Sequence, residues 1–148
     1  MNMAISIALV IALLIVTVLF HYEGLFGLSR FADDMRGGRR VRMLFIMFGV
    51  ILLHLAEIAF YGIAYWFGDV VADIGDFVGR AVGFADYVYF SAETFTTLGL
   101  GDIYPDGALR LIASIESLNG LLLLGWSASF TYLAMQKYWS EGSRRIVK

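Results

Sequence analysis

Apolar residues run almost without interruption through three stretches of this chain. Residues 3–20 carry no charge, and Ser6 and Thr17 are their polar members. At about 1.5 Å per residue, such a helix covers most of a hydrocarbon core about 30 Å thick. Residues 43–67 form a second stretch, which contains His54 and Glu57. Residues 108–139 hold a third, with Arg110 near its start and Glu116 inside. Some thirty helical residues measure roughly 45 Å, so this last helix has to tilt or emerge from the bilayer. The pattern predicts three membrane-spanning helices. A secretory signal peptide is set aside for the first, because no Lys or Arg precedes it and no clear small-x-small cleavage site follows.

Between the second and third stretches lie residues 68–107. Within them, residues 84–96 are apolar-rich but only about half as long as a spanning helix needs. A segment of that length dips into a membrane and returns.

Composition agrees with a membrane protein. Of 148 residues, 59% are hydrophobic, above the roughly 45–50% of soluble domains. Pro105 is the one proline, so long helices can run unbroken, and the lack of cysteine excludes a disulfide framework or thiolate metal site. A net charge of −2 argues against a general nucleic-acid binder.

The charges are clustered. Arg30, Arg36, Arg39, Arg40 and Arg42 crowd the connection between the first two spans, and Lys137, Arg144, Arg145 and Lys148 follow the third. The positive-inside rule puts both regions in the cytoplasm, which requires three spans and an external N-terminus. The connection is either an interfacial amphipathic segment facing anionic headgroups or a plain charged loop. Residues 68–107 then face outward. They carry Asp69, Asp73, Asp76, Asp86, Asp102 and Asp106 against Arg80, an acidic mouth that concentrates cations, or simply a solvated loop.

The candidate chemistry is in Thr96-Thr97-Leu98-Gly99-Leu100-Gly101-Asp102. Backbone within a bilayer is satisfied internally unless it lines a cavity or pore. An extended segment with glycine at positions 99 and 101 can turn its carbonyls to one side, because glycine reaches the needed angles at low cost. Rings of such carbonyls replace the water shell of an ion, and the Thr97 hydroxyl can add a further ring. The C-terminus of a helix ending near Thr96 points partial negative charge at the same place. One chain supplies one such segment, so a closed ring needs several chains, most simply four. Nucleotide binding through Gly-x-Gly would need a soluble strand before it and a helix after it, and neither is expected here.

The run Phe90-Ser91-Ala92-Glu93-Thr94-Phe95-Thr96-Thr97-Leu98-Gly99-Leu100-Gly101-Asp102-Ile103-Tyr104-Pro105 resembles the pore helix, filter and outer turn of the potassium-channel superfamily, in particular of bacterial two-helix potassium channels. The resemblance implies an all-α membrane protein with a re-entrant pore helix and extended filter, assembled as a tetramer. It implies residues 43–139 as the pore domain; hydropathy and charge add residues 1–23 as a peripheral transmembrane helix that the two-helix pattern does not explain, 24–42 as a cytoplasmic Arg-rich loop and 140–148 as a cytoplasmic tail. Within the pore domain it implies an outer helix at 43–67, a pore helix at 84–96, a filter at 97–102 and an inner helix at 108–139. Thr97, Leu98, Gly99, Leu100 and Gly101 would supply the ion-coordinating oxygens. Thr96, Glu93, Asp102, Arg110 and Glu116 would support them.

For Glu93 three arrangements stay open. It shares a proton with Asp102, or pairs with Arg110, or is a singly hydrogen-bonded glutamate. Glu116, with Ser114, Ser117 and Asn119, braces the pore helix or makes ordinary interhelical contacts. Gly120 falls at the family's hinge position, with Gly125 a second candidate, and close helix packing is the alternative role. Leu100 departs from the usual aromatic residue and cannot donate a hydrogen bond to the pore helix. Tyr89 and Phe90 replace a common tryptophan pair. Both departures weaken the expectation of strict potassium selectivity.

His54 and Glu57 share a helical face; they could bind a metal, but two ligands are too few to define a site, and a hydrogen-bonded pair between helices is the favoured reading. The expected protein is a tetrameric passive cation channel of the plasma membrane that prefers potassium, with a non-selective monovalent cation channel of the same architecture as the alternative; K+ or Na+ is the permeant ion and no other cofactor is expected. Its partners are membrane lipids and further copies of the chain, without nucleic acid or soluble substrate. No nucleophile–base pair suggests an enzyme. A non-conducting accessory subunit is the alternative from another class.

Overall fold

The computed structural model describes residues 2–79 and 83–143, with side chains through residue 139. Arg80, Arg144, Arg145 and Lys148, which entered the charge argument, lie outside the described residues. Helix α1 spans Asn2–Asp34, α2 Arg39–Trp66, α3 Phe84–Phe95 and α4 Leu109–Ser143. Strands β1 (Phe77–Gly79) and β2 (Ile103–Pro105) pair antiparallel, with Val78 opposite Tyr104. The chain is an all-α membrane protein with three helices long and apolar enough to span, apart from this small ribbon.

The Arg-rich connection is shorter than the sequence suggests. The segment 24–42, read as a loop, is mostly helix: α1 runs to Asp34 and α2 starts at Arg39, leaving 35–38 between them. The physical reason is that no proline interrupts either helix, and Gly24 serves packing, not termination. A Cβ on Gly24 would meet Leu53 Cδ2 at 2.3 Å, so the glycine lets α1 press on α2. At the other end, α2 continues beyond 67 through a π-helical turn, Phe67–Val71.

Polar contacts fix which ends lie together. Lys137 Nζ reaches Asp33 Oδ2 at 2.6 Å, and the Arg42 guanidinium lies 5.7 Å from the Tyr138 ring centre. The basic end of α1, the start of α2 and the end of α4 therefore cluster. At the opposite end, Ser6 Oγ donates to the Ala108 carbonyl at 2.8 Å and Asn2 Nδ2 to that of Asp73 at 3.3 Å. The ribbon is at that end, pinned by the Asp106 N–H donating to the Asp76 carbonyl at 2.7 Å. All the spans run end to end, and the acidic residues gather opposite the arginines.

Helix α1 is not a loose addition at the periphery. Its Val10 and Leu13 belong to the same buried cluster as Ile58, Tyr61, Phe95 and Leu123 of the pore region. Its other face carries exposed Ile7, Ile11, Ile15 and Leu19, one to each turn, as a lipid-facing stripe requires. Exposed Phe48, Ile51, Leu52 and Leu55 give α2 the same outward surface.

Helix α3 has 12 residues, about 18 Å. It cannot cross, and the chain turns back after it. Its N-terminus is capped by Asp86, whose Oδ2 accepts the Gly83 N–H at 2.8 Å.

Candidate selectivity filter

The segment after α3 is held from behind by one residue. The Leu98 N–H donates to the Glu93 carbonyl at 2.7 Å, and the Gly99 N–H to the same oxygen at 3.3 Å. The Leu100 N–H donates to Glu93 Oε2 at 2.9 Å. Three successive N–H groups thus converge on Glu93, which is itself buried. The backbone alternates: Thr97, Gly99 and Gly101 have φ of 58°, 57° and 76°, whereas Leu98 and Leu100 keep the ordinary negative sign. Alternating handedness collects successive N–H groups on one side of a ribbon and leaves the carbonyls the other.

Space does not explain the glycines, since a Cβ on Gly99 or Gly101 would meet nothing within 4 Å. The backbone angle does. Thr97 holds the same angle with a β-branched side chain, at a cost of order 1–3 kcal/mol. Its N–H is anchored on the Thr94 carbonyl at 3.0 Å. The segment is open on the far side, with Leu98 65% and Leu100 60% exposed.

The supporting residues divide into those that reach the segment and those that do not. Glu93 bonds neither Asp102 nor Arg110 among the described contacts; the arrangement present is the single side-chain hydrogen bond to Leu100. The physical reason is proximity. A glutamate two residues before the helix ends meets the N–H groups of the returning chain first. Asp102 caps its own neighbour, taking the Ile103 N–H at 3.1 Å. The Tyr89 hydroxyl reaches Asp102 at 3.4 Å, longer than a well-formed O–H···O bond. Arg110 is exposed and lines an open pocket of about 500 Å³ with Phe90, Thr94, Asp106 and Ser117. Thr96 turns its hydroxyl back to the Ala92 carbonyl at 2.7 Å.

Glu116 is fully buried and ties three helices together. It accepts hydrogen bonds from the Ser91 hydroxyl of α3 at 2.6 Å and from the Tyr65 hydroxyl of α2. Behind them Tyr65, Phe77, Tyr87 and Phe90 pack edge to face, with ring centres 5.0 to 5.6 Å apart. This cluster stands behind α3 although Leu100 supplies no aromatic ring of its own.

Gly120 lies hard against the end of α3. A Cβ there would meet the Phe95 carbonyl oxygen at 2.3 Å, while Gly125 has nothing within 4 Å. Helix α4 passes through both as one element. Ser117 adds a hydrogen bond to the Thr94 carbonyl at 3.3 Å.

Sequence reasoning missed Ser91 and Tyr65 as partners of Glu116. It also missed His21, whose Nδ1 lies 2.8 Å from Glu57 Oε1, while His54 Nδ1 lies 2.9 Å from Oε2. Nothing in the spacing of His21 could have revealed this, because it comes from another span.

Two spans enclosing a half-length re-entrant helix and a returning glycine segment define the pore unit of an ion channel. The ion-channel family of two-span potassium-channel pores matches residues 53–137, and the chain belongs to it, as a pore module of the potassium-channel superfamily. The inward rectifier potassium channel Kirbac3.1 of Paramagnetospirillum magnetotacticum is 34% identical over 82 residues, which are 54% of this chain and 26% of that one. The chain thus matches about a quarter of the length of that curated relative. No solved structure matches.

Proposed function

We propose that four copies of this chain surround an axis lined by Thr97, Leu98, Gly99, Leu100 and Gly101, and that the assembly passes monovalent cations passively, with a preference for K+. The observation that carries this reading is the convergence of three filter N–H groups on Glu93, which leaves the carbonyl side of an alternating ribbon open. Carbonyls fixed in this way need no rearrangement when an ion sheds its water. The exposed segment of a single chain offers only one side of such a cage, which supports an oligomer. The name of the Kirbac3.1 relative supports potassium as the ion.

In this reading the basic end faces the cytoplasm of a cell with this channel in its plasma membrane, and the acidic ribbon end faces outward with the N-terminus. Membrane lipids cover the outer faces of α1 and α2. A channel that does not discriminate among monovalent cations is the second reading, and Leu100 favours it. Its exposed side chain makes no hydrogen bond that would stiffen the ring.

Purified protein in proteoliposomes tests the proposal. K+-driven flux should exceed Na+-driven flux, and the particle should have the mass of four chains plus detergent. Equal fluxes would establish the non-selective reading. Absence of any flux from tetrameric protein would favour an accessory subunit.

A further inference from the structure

The triad His21, Glu57 and His54 is buried where α1, α2 and α4 meet, near the end of α3. His21 and Glu57 are fully buried, and the His54 side chain is 13% exposed. One ligand atom from each lies within 4.8 Å of the others. Glu57 presents one oxygen to each imidazole, at 2.8 and 2.9 Å. Two nitrogens beside the two oxygens of one carboxylate, at these spacings, suit a cation bound at about 2.0–2.2 Å with the carboxylate bidentate.

Three further observations point the same way. A carboxylate in an apolar span is costly without a compensating positive charge. Ser127 Oγ of α4 lies 3.3 Å from His21 Nε2. A ligating histidine usually gives its other ring N–H to such a group, which fixes the tautomer and leaves Nδ1 as a lone-pair donor. With Ser127 as acceptor, Nδ1 turns a lone pair toward the Glu57 oxygen and a cation between them joins the two; with Ser127 as donor, Nδ1–H donates to Glu57 directly. His54 Nε2 is buried without a hydrogen-bond partner among the described residues. The ring is therefore not held by two ordinary hydrogen bonds, and its position comes from the carboxylate side and from packing near the Phe95 ring, 5.7 Å away.

We propose that His21, His54 and Glu57 form a binding site for a divalent first-row transition metal of the zinc class, which fastens α1 to the pore unit. Imidazole and carboxylate ligands suit zinc and cobalt, whereas magnesium and calcium prefer all-oxygen sets. The metal supplies the missing positive charge and cross-links α1 to α2 beside the end of the pore helix. Its occupancy is independent of which ion the pore passes.

Co2+ and Zn2+ added to metal-stripped channel in detergent test the site. The expected result is one Co2+ per chain, with visible absorption bands of a nitrogen- and oxygen-ligated centre that Zn2+ displaces. Zn2+ should also raise the melting temperature. His21→Gln and His54→Gln should each lower the affinity at least tenfold and abolish the zinc-dependent rise, while Ser127→Ala should lower it less. Particle size on gel filtration shows whether each variant still assembles. The proposal is overturned if wild-type protein binds no Co2+ at micromolar concentration, a result that would leave protons as the compensating charge. It is equally overturned if the two histidine variants, still assembled, bind as wild type does.

Discussion

Removing the Glu93 side chain isolates what holds the proposed filter segment, residues 97–101, in place. In Glu93→Val the Leu100 N–H loses its carboxylate acceptor at 2.9 Å, while the backbone carbonyl of residue 93 still receives Leu98 and Gly99. A hydrogen bond to a charged group is worth about 1.5–3 kcal/mol. In one chain that shifts the balance between the held and released segment by about tenfold to a hundredfold. Four chains acting on one ring would multiply the free energy, to at least about 6 kcal/mol if the losses simply add. Glu93→Gln keeps an oxygen in the same place, so it should lose only about 0.5–1.5 kcal/mol per chain. The assay is K+ flux into proteoliposomes, normalised to assembled channel by gel filtration. Glu93→Val should lower flux at least tenfold and Glu93→Gln much less. Wild-type flux from assembled Glu93→Val would refute the reasoning. So would an equal loss in Asp102→Asn with no further loss in the double variant, because the two carboxyls would then be acting as one unit.

Other substitutions probe the remaining supports. Gly99→Ala forces a Cβ onto a residue at φ 57° and should cost about 1–2 kcal/mol and abolish flux, whereas Gly27→Ala, in a helix with nothing within 4 Å, should leave flux unchanged. Gly120→Ala should destabilise the channel by about 1–3 kcal/mol in thermal unfolding through its clash with the Phe95 carbonyl, while Gly125→Ala should stabilise by up to about 1 kcal/mol. A hinge at Gly120 without a packing role would instead raise the melting temperature on Gly120→Ala, as expected for Gly125→Ala. Ser91→Ala removes a hydrogen bond from buried Glu116 and should cost about 1–3 kcal/mol; a double-mutant cycle with Tyr65→Phe should show coupling, and additivity would contradict the shared carboxylate. Lys137→Ala breaks a half-exposed pair with Asp33 and should cost no more than about 1 kcal/mol, an effect that salt diminishes.

What the sequence made legible follows from the range of the forces involved. Hydropathy is summed over twenty residues, so the three spans and the short re-entrant helix could be read from pattern alone. The positive-φ turns of the 97–101 segment were legible at two positions, because their backbone angles constrain residue type locally: Gly99 and Gly101 are visible as glycines. Thr97 shows the limit, since its positive φ is imposed by the turn from α3 and not by its own preference. Helix ends were misjudged for a similar reason. Arginines look like a loop, yet they are good helix formers where no proline intervenes, and α2 starts at Arg39. Partnerships between spans were illegible. Glu116 with Ser91, and His21 with Glu57, depend on helix rotation, which no single span encodes.

The place of α1 follows from those same partnerships. In hydrocarbon, apolar side chains gain nothing by choosing a protein neighbour over a lipid tail, so packing alone holds a helix without fixing its depth. Polar ties fix it. Helix α1 has them near each end, at Asn2–Asp73 and Ser6–Ala108 and at Asp33–Lys137, and at two levels between. In the upper of these, Asn119 Nδ2 donates to Thr17 Oγ1 at 2.9 Å and to the Tyr61 hydroxyl at 3.1 Å, joining α1, α4 and α2. In the lower, His21 meets Glu57 of α2 and Ser127 of α4. Interhelical hydrogen bonds of this kind average about 0.6 kcal/mol each. Individually they are weak, but a slip of α1 by one turn, about 5.4 Å, breaks every tie that α1 makes together, leaving Glu57 with His54 alone and Asn119 with Tyr61 alone. The added helix is therefore locked in register with α2 and α4. Two contacts of the pore helix, the Gly120 backbone of α4 against Phe95 and the Ile58 carbonyl of α2 beside the Ser91 hydroxyl, depend on the rotation and depth that α1 helps to fix.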